Sequence, residues 1–317
     1  MKLEATTGVE PVNGGFANLC LRPLGYVASA ALELTPREGA GKGAQRQRRI
    51  FPRSRWLAPP QLLLNSRVSL TVAIITLNEA ERIERVLKSA PVADELLVLD
   101  SGSTDGTVEL ARSLGARVVE EAWRGYGPQK NRALELARGE WVLSLDADEV
   151  VTPELRGAVE AVIAEPADGV DGYSVLRRNW WRDAWVRRGV YGPRKKVRLV
   201  RTGAGRWVGG ALHETLEVGG RVEALDGFLD HYPYDSVEEF EATSRSYAKL
   251  FAEKGLAEGR RSRWWDRQLR PPLHLIKALL LQGGALEGAA GLQLARLGAA
   301  EVAMKWRELA KAERDGK

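Results

Sequence analysis

Cysteine, histidine and long apolar runs are what this chain has least of. One cysteine, Cys20, in 317 residues excludes a disulfide framework and a cysteine-rich zinc site alike, and it fits a reducing cytoplasm. Only three histidines, His213, His231 and His274, are present as imidazole ligands or bases, so each is notable. No apolar stretch reaches the roughly 20 residues that span a bilayer; the run around Leu273–Leu281 is about half that length. An excess of one charge is also missing from most of the chain. Of 47 Lys/Arg and 42 Asp/Glu, nine and four fall in residues 1–66, which leaves 38 of each in the remainder. The pI of about 9.3 therefore arises from the leading segment, and no basic stripe for nucleic acid is implied. With 44% hydrophobic and 28% charged residues, the chain can bury the core of one large domain or two small ones.

Residues 1–66 lack a charged start followed by an apolar core and a small-residue cleavage site, so a secretory signal is not expected. The stretch Gly39–Arg49 has no apolar periodicity and reads as a disordered basic extension. It is either a solvated extension or a misassigned translation start, or else a contact for anionic lipid or RNA. Beyond it the pattern divides near Ser236: an α/β domain over 67–235, then a helical region over 236–317.

From Leu70 the chain alternates strand and helix patterns. Leu70 to Thr76 is a buried apolar run, and Glu79 to Ser89 has helical spacing, with Ile83, Val86 and Leu87 on one face and Asn78 placed as its cap. Leu96 to Leu99 ends in Asp100, and Thr107 to Leu114 is the next helix; Arg117 to Glu120 is a third strand, Gln129 to Ala137 a third helix, and Trp141 to Leu145 a fourth strand. This order predicts a mostly parallel sheet with right-handed crossovers, flanked by helices, which takes ligands at the carboxyl ends of its strands.

Small polar and acidic groups fall at that edge. Asn78 and Glu79 follow the first strand, Asp100 to Asp105 the second, and Asp146-Ala147-Asp148-Glu149 the fourth. Three carboxylates so close repel one another, and a hard cation carrying a phosphorylated ligand, Mg2+ or Mn2+, is a natural counterion; an acidic turn before a helix at Pro153 is the plainer alternative. Asp100 can accept from a pyrimidine imide N–H, Ser101, Ser103 and Thr104 can donate to ribose, Gly102 and Gly106 permit a tight turn, and Lys130 offers a point charge for a diphosphate. Together they favour a nucleotide-diphosphate site.

At these residues the chain resembles a known family. Thr76-Leu77-Asn78-Glu79, Val98-Leu99-Asp100-Ser101-Gly102-Ser103-Thr104-Asp105-Gly106-Thr107, Gln129-Lys130-Asn131-Arg132-Ala133-Leu134 and Leu143-Ser144-Leu145-Asp146-Ala147-Asp148-Glu149 look, in order and spacing, like the inverting family 2 glycosyltransferases of GT-A fold, from about Leu70 to His231. Within it the chain is similar to the lipopolysaccharide inner-core glucosyltransferases that add glucose to heptose, through His213-Glu214 and the aromatic segment Leu229-Asp230-His231-Tyr232-Pro233-Tyr234. The resemblance implies a UDP-sugar donor, UDP-glucose, a divalent metal, and a saccharide or glycolipid acceptor. It places Thr76, Asn78 and Glu79 in the nucleoside pocket, Asp100 on the uracil, Ser101, Ser103, Lys130, Asp146 and Ala147 on the donor, and Asp148 on the metal, with Glu149 behind it. His213 and His231 are each a metal or diphosphate ligand or a satisfied structural imidazole, with His231 the candidate to join Asp148. Glu214 falls where the family's base lies, although the family more often has Glu-Asp or a lone Asp there.

Residues 171–231 are rich in Arg and Trp. Arg177, Arg178, Trp180, Trp181 and Trp185 suit a sugar acceptor carrying phosphate or carboxylate, and core packing accounts for the tryptophans equally well. Lys195, Lys196 and Arg198 alternate along a strand and either reach acceptor phosphates or form a solvated edge. Past Ser236, five arginines surround Trp264-Trp265 before the apolar run, as expected of a peripheral contact with an anionic membrane on its cytoplasmic face or of an ordinary packed helix. Arg260 stands where the processive synthases' Gln would precede Arg263-Trp264, so a single sugar per acceptor is expected. Two other classes compete: an S-adenosylmethionine methyltransferase, suggested by Val98–Ser103, and a noncatalytic nucleotide-sugar or lipid-binding module.

Overall fold

The computed structural model describes residues 69–210 and 213–315, so the expected basic extension, Cys20 and the side chain of His213 lie outside the described residues. Strands β1 (Leu70–Thr76), β2 (Glu95–Asp100), β3 (Arg117–Glu120) and β4 (Trp141–Asp146) alternate with helices α1 (Ala80–Ser89), α2 (Thr107–Ser113) and α3 (Tyr126–Leu136). All four strands run parallel in the order β3-β2-β1-β4. After β5 (Glu149–Val151) and α4 (Pro153–Ala164), the sheet is extended by β6 (Val170–Trp181), β7 (Ala184–Val186), β8 (Arg194–Arg201) and β11 (Arg221–His231). Strand β8 pairs antiparallel to β4, and the order continues β8-β6-β11-β5, with β7 on the flank of β6. Strands β9 (Gly205–Gly210) and β10 (His213–Val218) form a separate antiparallel ribbon.

Alternation along the strands divides the core in two, because successive side chains leave opposite faces of a sheet. Val72 and Ile74 of β1, with Trp141, Leu143 and Leu145 of β4, meet Ile83, Val86 and Leu87 of α1 and Leu155 and Val159 of α4. Ala73, Leu97, Leu99 and Val142 point the other way, onto Ala133 of α3 and onto Trp207 and Leu216 of the ribbon. The ribbon is thus held against the sheet by the same hydrophobic layer that seats α3. Two polar bonds fix its register: Asn131 donates through Nδ2 to the Trp207 carbonyl (2.8 Å) and accepts at Oδ1 from the Trp207 N–H (2.8 Å).

The expected α1 face is buried as read, but its cap differs. Glu79, not Asn78, occupies the capping position. Asn78 adopts φ 54°, and its Oδ1 accepts from Thr104 N–H (2.8 Å), so the side chain ties two loops together. Helix α3 begins at Tyr126, three residues before the predicted start, after Gly125 at φ 96° turns the chain. The chain ends in α5 (Val237–Ala257), α6 (Trp264–Gln268), α7 (Arg270–Ile276), a wider helical turn at Lys277–Leu281, and α8 (Gly288–Asp315). Phe240 of α5 and Leu294 of α8 pack on Trp181 and Val186, which seats these helices on β6–β7.

Candidate active site

The loops after β1 and β2 build one another. Helix α1 opens with N–H groups that have no partner of their own, and the β2–α2 loop supplies acceptors for them. Ser103 Oγ accepts from Asn78 N (2.7 Å), Thr107 Oγ1 from Glu79 N (2.8 Å) and Asp105 Oδ2 from Ala80 N (3.0 Å). Asp100 organises the same loop from inside. It is fully buried, and its two oxygens accept from Thr76 Oγ1 (2.9 Å), Gly102 N (2.8 Å), Ser103 N (2.8 Å) and Ser103 Oγ (2.5 Å). Such occupancy makes Asp100 a brace of the pocket wall, and a pyrimidine N–H reaches it only when a donor yields. Ser101 is bonded in turn to the buried Gln129, whose Nε2 donates to its Oγ (3.2 Å).

The carboxylates after β4 part ways. Asp146 lies between two buried cations: Oδ1 meets Lys130 Nζ at 2.7 Å and Oδ2 accepts from Arg198 at 2.8 Å. Arg198 also donates to Glu149 Oε1 (2.7 Å), which Arg177 reaches at 3.3 Å, while Glu149 Oε2 accepts from the Asp146 N–H (3.1 Å). The counterions expected from outside are therefore, for Asp146 and Glu149, supplied by the chain. Arg198 corrects the strand reading: it is buried and turned into the site, whereas Lys195 is exposed. Nothing in Arg194-Lys195-Lys196-Val197-Arg198 marks one cation as the buried one; only the pairing of β8 beside β4 does.

Asp148 meets His231, with Oδ2 and Nε2 3.2 Å apart, because β5 pairs antiparallel with β11 and sets Glu149 opposite His231. The tautomer is fixed from behind. Asn179 donates through Nδ2 to the Tyr191 carbonyl (2.6 Å), so its Oδ1 is the atom facing His231, and His231 Nδ1 must be the donor there. Glu79 stands close enough to Asp148 to feel its charge; burial first, and then Asp148, push its carboxyl up to about 8. Ala147 is buried in the turn between the two aspartates.

Lys130 links this cluster to the ribbon. Its ammonium also contacts Glu214 Oε1 at 2.8 Å and sits 4.5 Å above the Trp207 ring. Burial alone would lower its affinity for a proton, but Asp146 and Glu214 outweigh that and hold it above the ordinary lysine value. Glu214 Oε2 is buried with no hydrogen-bond partner. The tryptophans divide between both readings: Trp181 is core, whereas Trp180 and Trp185 are half-buried and cluster with Tyr232, the residue after His231. Arg178 covers Trp185 at 4.1 Å and clamps Asp230 (2.6 Å), and Arg85 covers Tyr232 at 4.1 Å. Thus Thr76, Asn78, Glu79, Asp100, Ser101, Ser103, Lys130, Asp146, Ala147, Asp148, Glu214 and His231 gather at one end of the parallel strands. Among the described residues no three of His, Cys, Asp and Glu gather as a ready metal cage. Asn179 and Trp207 are contributors the sequence did not disclose, and Gln129, Asn131 and Arg198 take roles that their place in the sequence did not specify.

Residues 71–215 match the sequence pattern of Glycosyl transferase family 2. The chain is 30% identical over 250 residues to the lipopolysaccharide core biosynthesis glycosyltransferase LpsC of Rhizobium meliloti, covering 74% of this chain and 92% of that protein. It is 31% identical to an uncharacterized glycosyltransferase of Rickettsia bellii, over 63% of this chain and 71% of that one. A glucosyl-3-phosphoglycerate synthase from Mycobacterium tuberculosis, solved with Mn2+, UDP and glucosyl-3-phosphoglycerate, is 30% identical over 36% of this chain, with a TM-score of 0.29; this chain spans 44% of it. The S-adenosylmethionine methyltransferase alternative falls with these matches. With its GT-A-like sheet and motif loops at one edge, this chain belongs to glycosyl transferase family 2 and is a glycosyltransferase.

Proposed function

We propose that the enzyme moves one glucose, with inversion, from UDP-glucose to a saccharide acceptor of the lipopolysaccharide core or a related envelope glycan, at the cytoplasmic face of the membrane. The observation that carries the reaction type is the state of Glu214. One of its oxygens is anchored by Lys130 and the other is buried without a partner. An inverting transfer needs a base with an oxygen available to the acceptor hydroxyl, and Glu214 Oε2 has no partner among the described residues that would compete for that proton. The acceptor hydroxyl gives its proton to Glu214 Oε2, its oxygen bonds to the anomeric carbon, and the bond from that carbon to the diphosphate breaks on the opposite side. Asp230, the other carboxylate nearby, is less suited because Arg178 already clamps it.

Mg2+ or Mn2+ fits Asp148 and His231. His231 Nε2 and Asp148 Oδ2 lie 3.2 Å apart, close enough to share one cation, and Asn179 holds the imidazole from behind. Two protein ligands suffice, because such ions keep several waters and take phosphate oxygens. The chemistry a cation supplies there is neutralisation of charge on the departing diphosphate. Lys130 adds a second positive charge beside Asp146. Trp180, Trp185 and Tyr232 offer flat faces to an acceptor sugar, with Arg85 and Arg178 for its anionic substituents.

Single-turnover measurement with UDP-glucose and a heptose-terminated core oligosaccharide tests this. Glu214→Gln is expected to slow transfer by about 10²- to 10⁴-fold while leaving UDP affinity unchanged. A rate within about threefold of wild type removes Glu214 from the mechanism, full activity in excess EDTA removes the metal, and tighter binding of GDP than UDP removes the uridine assignment. Absence of both transfer and donor hydrolysis would favour the noncatalytic module.

A further inference from the structure

Helix α7 and the segments beside it are amphipathic the wrong way round for a soluble protein. Leu269, Leu273, Ile276 and Leu280 recur at a spacing of one helical face, and that face is the one in water: Leu273 is 60%, Ile276 51% and Leu280 70% exposed. The opposite face does the packing, with Ala278 buried against Ala295 of α8 and His274 close to Gly298. Leu281, 80% exposed, and Leu286 continue the apolar surface at one end, and Trp264 and Trp265 at the other. Scattered exposed leucines are ordinary, whereas a continuous stripe of them marks an interaction surface.

Charge decides what covers it. Residues 260–286 hold six Lys/Arg, namely Arg260, Arg261, Arg263, Arg267, Arg270 and Lys277, against the single acid Asp266. Asp266 is buried and bonded to Arg270 (2.6 Å) and the Arg263 N–H (3.0 Å), so it neutralises Arg270 and leaves the segment with a net excess of five cations. A second copy meeting this patch about a twofold axis would bring like charges together. Anionic phospholipid headgroups neutralise the cations while the acyl region takes the leucines, and exposed tryptophans suit the interface between the two. Among the described residues no single helix is long and apolar enough to cross a membrane, and Trp264–Leu281 bends by 72° into Gly284–Asp315. An exposed apolar stripe flanked by cations suits a helix lying in the plane of the leaflet.

We infer that the face formed by Trp264-Trp265, the Leu269–Leu280 stripe and Leu281 is a docking surface for an anionic phospholipid leaflet, independently of which sugar the enzyme transfers. The test is sedimentation of the full chain with vesicles of 30% phosphatidylglycerol in phosphatidylcholine, beside pure phosphatidylcholine. The triple variant Leu273→Ser, Ile276→Ser, Leu280→Ser is expected to bind the anionic vesicles at least tenfold more weakly, with unchanged circular dichroism and UDP binding. A charge variant, Arg263→Gln with Arg267→Gln, is expected to lose binding and its salt dependence together. Residues 1–66 are common to all forms and cancel. Equal sedimentation of wild type and both variants overturns the proposal. So does a wild-type dimer, detected by ultracentrifugation without lipid, that the triple variant abolishes.

Discussion

Lys130 ties together two carboxylates from distant segments of the chain. It is buried and touches Asp146 at 2.7 Å and Glu214 at 2.8 Å, carboxylates separated in sequence by the whole of β5 to β9. Removing one partner of a buried ionic group costs more than the group is worth intact, because the charges left behind have lost their solvation. Lys130→Met is therefore expected to destabilise the fold by about 3 to 5 kcal/mol in urea unfolding at pH 7, with a smaller loss at pH 4, where carboxylates protonate. A loss under about 1 kcal/mol at pH 7 would assign the pairing of Asp146 to Arg198 alone. At this scale the sequence named both the anions and the cations but concealed which cation meets which anion. Asp148 and His231 stood out because acids at a strand exit and rare histidines are conspicuous. Arg177 and Arg198 were candidates for an acceptor and instead pair with Glu149, since an arginine among arginines declares nothing about which one turns inward.

Elements were legible where one period dominated: the α1 stripe Ile83, Val86, Leu87 and the apolar runs of β1 and β4 lie where hydrophobic spacing put them. Helix ends were not, because their partners come from distant loops. Asn78 read as a cap, yet the α1 entry is satisfied by Ser103, Thr107 and Asp105 from the next loop. Thr107 is the pivot. Its hydroxyl accepts from Glu79 N and donates to Asp105 Oδ1, and its own N–H bonds the same carboxylate at 3.1 Å. Thr107→Val keeps the volume and deletes both hydroxyl bonds. The expected cost is about 1 to 2 kcal/mol of stability by urea unfolding, with weaker UDP binding from a loosened pocket wall. Thr107→Ser should recover most of both. A Val variant as stable as wild type would show that the two hydroxyl bonds do not hold the loop.

For the whole molecule, the neutral form of Glu79 ties stability to pH. Its carboxyl ionises near 8 when folded and near 4.5 when unfolded, so across that window the folded state holds the extra proton. Stability is accordingly full below the unfolded value and declines as pH rises toward 8, by at most roughly 1.4 kcal/mol per pH unit. Glu79→Gln removes this slope, so its gain over wild type should be larger at pH 8.5 than at pH 5 in urea titrations; a difference that does not change with pH would show that the carboxyl ionises alike in both states. The fold class was readable from strand-helix alternation alone, whereas the second half was not, because β6, β8 and β11 insert between β4 and β5 in an order that no local pattern encodes. That insertion bears on biosynthesis. Asp148 waits for a histidine 83 residues further along, and Arg82 for Asp235, 153 residues on. A ribosome adding about 5 to 20 residues per second exposes the whole nucleotide half seconds before β11 arrives to close it. For that interval the nascent chain carries its acidic loop without its histidine, and a truncated translation product ending before Leu229 is born without a working centre.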